Sequence, residues 1–169
     1  MIRILSVGLV LALLPALAVA ETWESFGYKA PGGTERVFAV SPTVTARDEY
    51  SEPLDGVTGF IGVTWIDGQM KSVISLSEEP ETGGAYIEPQ YFDIRIEWDN
   101  DGEREEAMFR RPDAKGMAFG SSISVANRLK TNGSLEFRTR SPSEGLVFWR
   151  FELSGSSEAI EAVERNCFE

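Results

Sequence analysis

The chain reads as a mainly β protein: an antiparallel β-sandwich with one short internal helix and a C-terminal amphipathic helix. Three observations predict this class. Short runs rich in Val, Ile, Phe and Trp recur along the sequence, with turn residues between them. One of them, Tyr91 to Trp98, alternates strictly in its side-chain pattern. The apolar spacing becomes clearly helical only after Ser154-Gly155.

Ahead of the first strand lies a different kind of segment. Met1-Ile2-Arg3 is a cationic start, Ile4 to Leu17 is an almost unbroken apolar run, and Ala18-Val19-Ala20 forms a small-x-small cleavage site before Glu21. Residues 1–20 are therefore expected to be a cleaved signal peptide, and 21–169 a single β-rich exported domain, periplasmic or secreted. The apolar run falls short of the roughly 18 residues that a membrane span requires, and no later stretch approaches it. No membrane span is expected.

The elements follow in order. Thr22 to Tyr28 and Val37 to Val40 read as strands joined at Pro31-Gly32-Gly33. Ser41 to Gly56 mixes Pro, Asp, Ser and Glu and reads as a surface loop. Phe60 to Ile66 and Met70 to Leu76 flank Asp67-Gly68, a strong hairpin signal. Glu78 to Pro89 is a second irregular stretch. In the next strand Phe92, Ile94, Ile96 and Trp98 share one face, while Tyr91, Asp93, Arg95 and Glu97 share the other. Asp99-Asn100-Asp101-Gly102 then turns the chain into a return strand near Glu106 to Arg110.

Ser121 to Leu129 has helical character, with Ser121 or Ser122 as N-cap and Asn132-Gly133 as the stop. Leu135 to Arg140 and Leu146 to Leu153 are strands around Ser141 to Gly145. Val147, Trp149, Phe151 and Leu153 lie on one face of the last strand and Phe148 on the other, which predicts a central strand covered on both sides. Finally Ala159, Ile160, Val163 and Cys167 fall at helical spacing, predicting a helix that packs on the sheet.

Composition narrows the chemistry. The chain has a net charge of −11, one unit more negative once Arg3 leaves with the leader. Such a domain repels nucleic acid phosphates and anionic lipid head groups, so neither is an expected partner. There is no histidine, which removes the commonest general base and the commonest zinc ligand together. None of Lys29, Lys71, Lys115 or Lys130 has a serine three residues upstream, so the Ser-x-x-Lys pattern is absent. Acids are too abundant for any one pair to stand out as glycosidase carboxylates. No catalytic set, cofactor or metal is expected.

Several residues remain as candidates. Arg95 and Glu97 share an outward strand face and are the candidate binding pair, with a solvated cross-strand ion pair as the plainer reading. Asp99, Asp101, Glu103 and Glu105 alternate across a turn and offer oxygen ligands to calcium, although a hairpin turn explains them. Trp65, Trp98 and Trp149 form either an aromatic platform for a ligand or part of the core. Asn132-Gly133-Ser134 matches a glycosylation acceptor and equally a helix stop. Cys167 has no partner for an intramolecular disulfide: it is either a buried thiol on the helix stripe or the site of a disulfide-linked homodimer.

The C-terminal run carries a resemblance. Phe151-Glu152-Leu153-Ser154-Gly155, followed by Ala159-Ile160 and Cys167, resembles the closing F-x-L-S-G-x-x-x-A-I-x-x-x-x-x-x-C of the type VI secretion-associated VasI/TagO family of periplasmic proteins. Upstream, Arg95-Ile96-Glu97, the helix ending at Leu129 and the strand Leu135-Glu136-Phe137-Arg138 follow the same order. The similarity covers Tyr91 to Cys167. The invasion-associated locus B family of exported proteins is a looser second match, sharing a strand followed by an amphipathic helix. Both resemblances imply an exported β-rich accessory domain, and neither implies catalytic residues.

The functional expectation is a non-catalytic exported accessory or binding protein acting on another envelope protein, with a secretion-system association implied by the resemblance. A carbohydrate or cell-wall binding module is the alternative from another class. An acidic inhibitor of a basic envelope hydrolase is the third.

Overall fold

Period-two burial runs through the strands: Met70, Ser72, Ile74 and Leu76 turn inward on one, and Ile94, Ile96 and Trp98 on another. The computed structural model describes residues 22–29, 35–48, 50, 52–66, 68–77, 90–110, 116–141 and 145–166. Residues 1–20, which the sequence reads as a leader, lie outside these residues, as do Pro31-Gly32-Gly33, Glu78 to Pro89 and Cys167.

Ten strands and two helices are described. They are β1 (Glu24–Lys29), β2 (Glu35–Val40), β3 (Val44–Arg47), β4 (Pro53–Ile66), β5 (Gln69–Leu76), β6 (Gln90–Trp98), β7 (Gly102–Arg110) and β8 (Gly116–Phe119), then α1 (Ser122–Thr131), β9 (Ser134–Ser141), β10 (Gly145–Glu152) and α2 (Ser156–Arg165). Eight strands form a closed antiparallel ring in the order β3-β4-β5-β8-β7-β6-β9-β10, and β10 returns to β3 where Phe148 lies opposite Arg47. The fold is thus a barrel, not the expected sandwich. Both architectures bury one face of each strand, so alternation does not separate them; ring closure does.

Two features of the chain close the ring. β4 pairs with β5 along one edge, while its other edge is shared by β3 and then β2. Between the pairs Thr45–Thr58 and Arg47–Pro53, the single residue Ala46 on β3 faces residues 54–57 on β4. This wide bulge contains Gly56 at φ +80° and bends β4, as bulges in barrel walls do. The stretch from Ser41 to Gly56 is therefore not the expected loop, because it holds β3 and the start of β4. Its Pro and Asp residues sit at the turn and the bulge. The second feature is β8, four residues that the sequence reading missed, which bridges β5 to β7.

The interior is filled by large side chains, among them Trp98, Met108, Phe119, Phe137, Trp149 and Phe151. An eight-stranded barrel is just wide enough for side chains to fill. β1 and β2 leave the ring as a hairpin hung on the second half of β4. Trp23 anchors its start by donating its indole N–H to the Glu152 carbonyl at 3.3 Å.

Both helices pack together at the barrel end where β5, β7 and β9 begin. α1 buries Val125, Ala126 and Leu129, and α2 buries Ala159, Ile160 and Val163 against β1, β2 and β4. Ser121 occupies the N-cap of α1 without a side-chain cap bond. Ser122 instead ties the helix to the barrel, since its hydroxyl accepts the Ser72 N–H at 3.1 Å and donates to the Phe119 carbonyl at 2.9 Å. Lys130 pairs with Glu164 at 2.7 Å and the Ser156 hydroxyl donates to the Leu129 carbonyl at 2.6 Å, joining the two helices. β10 is central by pairing, but its outer face is uncovered: Phe148 is half-buried and Leu146 and Arg150 are exposed. Among the described residues nothing forms the expected second layer there, because the ring curls back on itself.

Candidate interaction surface

The outward face of β7, β6, β9, β10 and β3 carries charge in rows. In one row Glu103 lies opposite Glu97, Glu97 opposite Glu136, and Glu136 opposite Arg150. In the adjacent row Glu105 lies opposite Arg95, while Arg138 lies opposite Phe148 and Phe148 opposite Arg47. The antiparallel register that pairs Glu97 with Glu136 sets Arg95 beside Arg138, which joins the second row into one. Strand alternation turns every one of these residues outward, away from Ile96, Phe137 and Trp149 in the interior.

The candidates Arg95 and Glu97 are both exposed on this face, and each pairs with a neighbouring strand rather than with the other. Arg95 lies 3.6 Å from Glu103 and 3.9 Å from Glu105. Glu97 pairs with Arg138. Arg138 is the centre of the face: its Nε donates to Glu136 at 2.8 Å and its guanidinium stacks 5.5 Å from the Phe148 ring centre. The Glu136 hydrogen bond raises the Arg138 pKa above its ordinary value against the opposing effect of burial, with Glu136, Glu97 and Glu103 adding attraction. The sequence placed Phe148 on the outer face of its strand and Arg138 in the run that carries the resemblance, but marked neither as a binding residue. The alternation of β9 and β10 places both outward, but only the register brings Phe148 under Arg138.

Other candidates resolve differently. The Asp99 carboxylate accepts the Gly133 N–H at 3.0 and 3.1 Å, and Asp101 lies 3.3 Å from the Asn132 amide and 3.9 Å from Arg128. With Glu103 and Glu105 on Arg95, the four acids are engaged by protein groups. Asn132 is buried, and its side chain donates to the Arg128 carbonyl at 3.0 Å and accepts the Asn100 N–H at 3.1 Å. It acts as the helix stop, and its amide is not presented for glycosylation. Trp98 and Trp149 are core residues at 1% and 2% exposure, so the three tryptophans do not form a surface platform. Trp65 alone is half-buried, beside an open cleft of about 460 Å³ that Phe109, Ile123 and Lys71 also line.

Among the described residues, no helix is long and apolar enough to cross a membrane. No family model matches the chain, and no curated protein or solved structure matches it either.

Proposed function

We propose that the chain is a non-catalytic exported accessory domain that binds another envelope protein through the outer face of β6, β9 and β10. The observation that carries this reading is the Arg138–Phe148 stack, which lies in a row with Arg95 and Arg47 beside the row of Glu103, Glu97 and Glu136. Arg and aromatic residues dominate binding hot spots, and flanking charges select partners and speed encounter. Exposed ion pairs contribute under about 1 kcal/mol each to stability, so this arrangement can be exchanged for intermolecular pairs at small cost to the fold. The resemblance to the VasI/TagO family supports an envelope accessory role and extends the proposal to a secretion-system partner.

The test is cross-linking in intact cells, comparing the native chain with Arg138→Glu and Phe148→Ser. A specific adduct that disappears in both variants, while their melting temperatures stay near the native value, is the expected result. An adduct that survives both substitutions assigns the contact to another surface.

One observation favours the carbohydrate-binding alternative: Trp65 borders the open cleft together with Phe109. Tryptophan fluorescence titrated with soluble peptidoglycan fragments checks it. No saturable change in emission removes that reading.

A further inference from the structure

Among the described residues, β1 is paired on one side only. Alternate residues of an edge strand direct their N–H and C=O groups away from the sheet, which makes a template for another strand. The usual protections are weak here. β1 contains no proline, and Phe26 at its middle is 50% exposed. Phe26 stacks on its cross-strand neighbour Phe38 with ring centroids 5.6 Å apart and planes 16° from parallel. Ala39 and Val37, on the other face of the hairpin, pack into the core, so the phenylalanine pair faces outward.

We infer that this edge binds a second copy of the same chain, β1 against β1, across a two-fold axis at Phe26. The geometry limits the choice. Edge-facing backbone groups belong to every second residue, so an antiparallel self-pairing must place some residue opposite its own copy. The strand centre offers Phe26 or Gly27. Placing Phe26 opposite Phe26 aligns Phe38, Phe26, Phe26 and Phe38 in one aromatic row across four strands.

That register also matches charge. It sets Glu24 opposite the copy's Tyr28, whose own cross-strand neighbour is Arg36. Glu24 of one chain then lies two strand spacings, roughly 10 Å between backbones, from Arg36 of the other, within the joint reach of the two side chains. The two-fold axis repeats this contact, so the aromatic row is bordered on both sides by a Glu24–Arg36 pair. The Gly27 register carries Glu24 past Lys29, the last residue of the copy's β1, and creates no such match. Aromatic rows and opposite charges on adjacent strands are the pairs that stabilise sheets.

Sedimentation velocity over a concentration series under reducing conditions, with hydrogen exchange on the same samples, tests the inference. The expected result is a reversible dimer in which the β1 amides exchange more slowly as concentration rises. Glu24→Arg and Arg36→Glu should each weaken dimerisation about tenfold or more by setting like charges together. An equimolar mixture of these two variants should dimerise again, because every contact in the mixed pair joins opposite charges. A chain that stays monomeric throughout, a dimer whose β1 exchange ignores concentration, or a mixture that does not recover overturns the proposal.

Discussion

Arg128 in α1 is ion-paired to Glu106, an inward-facing residue of β7 that is 7% exposed, and its guanidinium also lies 5.9 Å from the centre of the Trp98 ring. Alternation directs Glu106 into the barrel, where an unpaired carboxylate is strongly disfavoured. α1 supplies the counter-charge. The pair therefore links the position of the helix to the wall of the barrel at the end nearest the β6–β7 turn.

Removing one partner strands the other. Arg128→Ala is expected to cost about 3 kcal/mol, because it leaves Glu106 buried without its cation. Replacing both together, with Arg128→Met and Glu106→Leu, should recover most of that loss. Urea denaturation of the two single variants and the double variant measures the coupling, and additive losses would show that the residues act independently.

Two glycines of β4 should fail for different reasons. A Cβ on Gly59 would sit 2.9 Å from Leu76 Cδ2 and 3.0 Å from Trp149 Cδ1, so Gly59→Ala should cost about 1–3 kcal/mol through overpacking. Gly56 has open space around it but a φ of +80°, so Gly56→Ala should cost about 1 kcal/mol through backbone strain. Leu76→Ala, which removes the nearest clashing atom, should relieve part of the first penalty and leave the second untouched. A double-mutant cycle on melting curves distinguishes the two mechanisms.

The acidic turn holds the end of α1. Asp99→Ala removes both acceptors of the Gly133 N–H and should cost about 1–2 kcal/mol. Because these carboxylates bond protein groups, chelation should leave the melting temperature of the native chain unchanged. A drop of several degrees on adding chelator would mean that a bound metal contributes to the folded state.

Arg138→Lys separates charge from shape. Lysine keeps the positive charge facing Glu97 and Glu136 but loses the planar group that lies on Phe148. Stability should change by less than about 1 kcal/mol, as for other exposed pairs. The cross-link proposed above should weaken several-fold. Full retention of the adduct by the lysine variant would show that the partner reads charge alone.

The expected leader cleavage has its own readout. Intact mass of the native protein is expected to match a chain that begins at Glu21, and retention of Met1 to Ala20 would contradict the leader. Non-reducing electrophoresis of the same material decides between the two states of Cys167: a buried thiol gives a monomer band, and a covalent homodimer gives a band that Cys167→Ser abolishes.

Much of the local structure was legible in the sequence. Asp67-Gly68 marks the β4–β5 hairpin, where Ile66 pairs with Gln69 and Gly68 adopts φ +73°. Ile94, Ile96 and Trp98 are buried while Arg95 and Glu97 are exposed, as alternation requires. Ala159, Ile160 and Val163 form the buried stripe of α2. These signals are carried by residues close together in the chain.

The missed elements depend on partners far away in sequence. β3 and β8 hold four residues each, too few to show a period, and they exist as strands because β4, β5, β7 and β10 supply their hydrogen bonds. Arg95 and Glu97 could be placed on an outward face from the sequence. Their pairing with Glu103, Glu105 and Arg138 needed the register.

The sequence by itself determined which residues of β6 and β10 face inward, where the chain turns at Asp67-Gly68 and Asp99 to Gly102, and that a helix follows Gly155. Backbone geometry converts each of those local patterns into one outcome. Only the tertiary structure decided that the strands close into a ring, that Arg128 meets Glu106, and that Phe148 lies under Arg138. Each of these joins segments distant in sequence, and residue spacing within one segment carries no information about which distant segment becomes its neighbour.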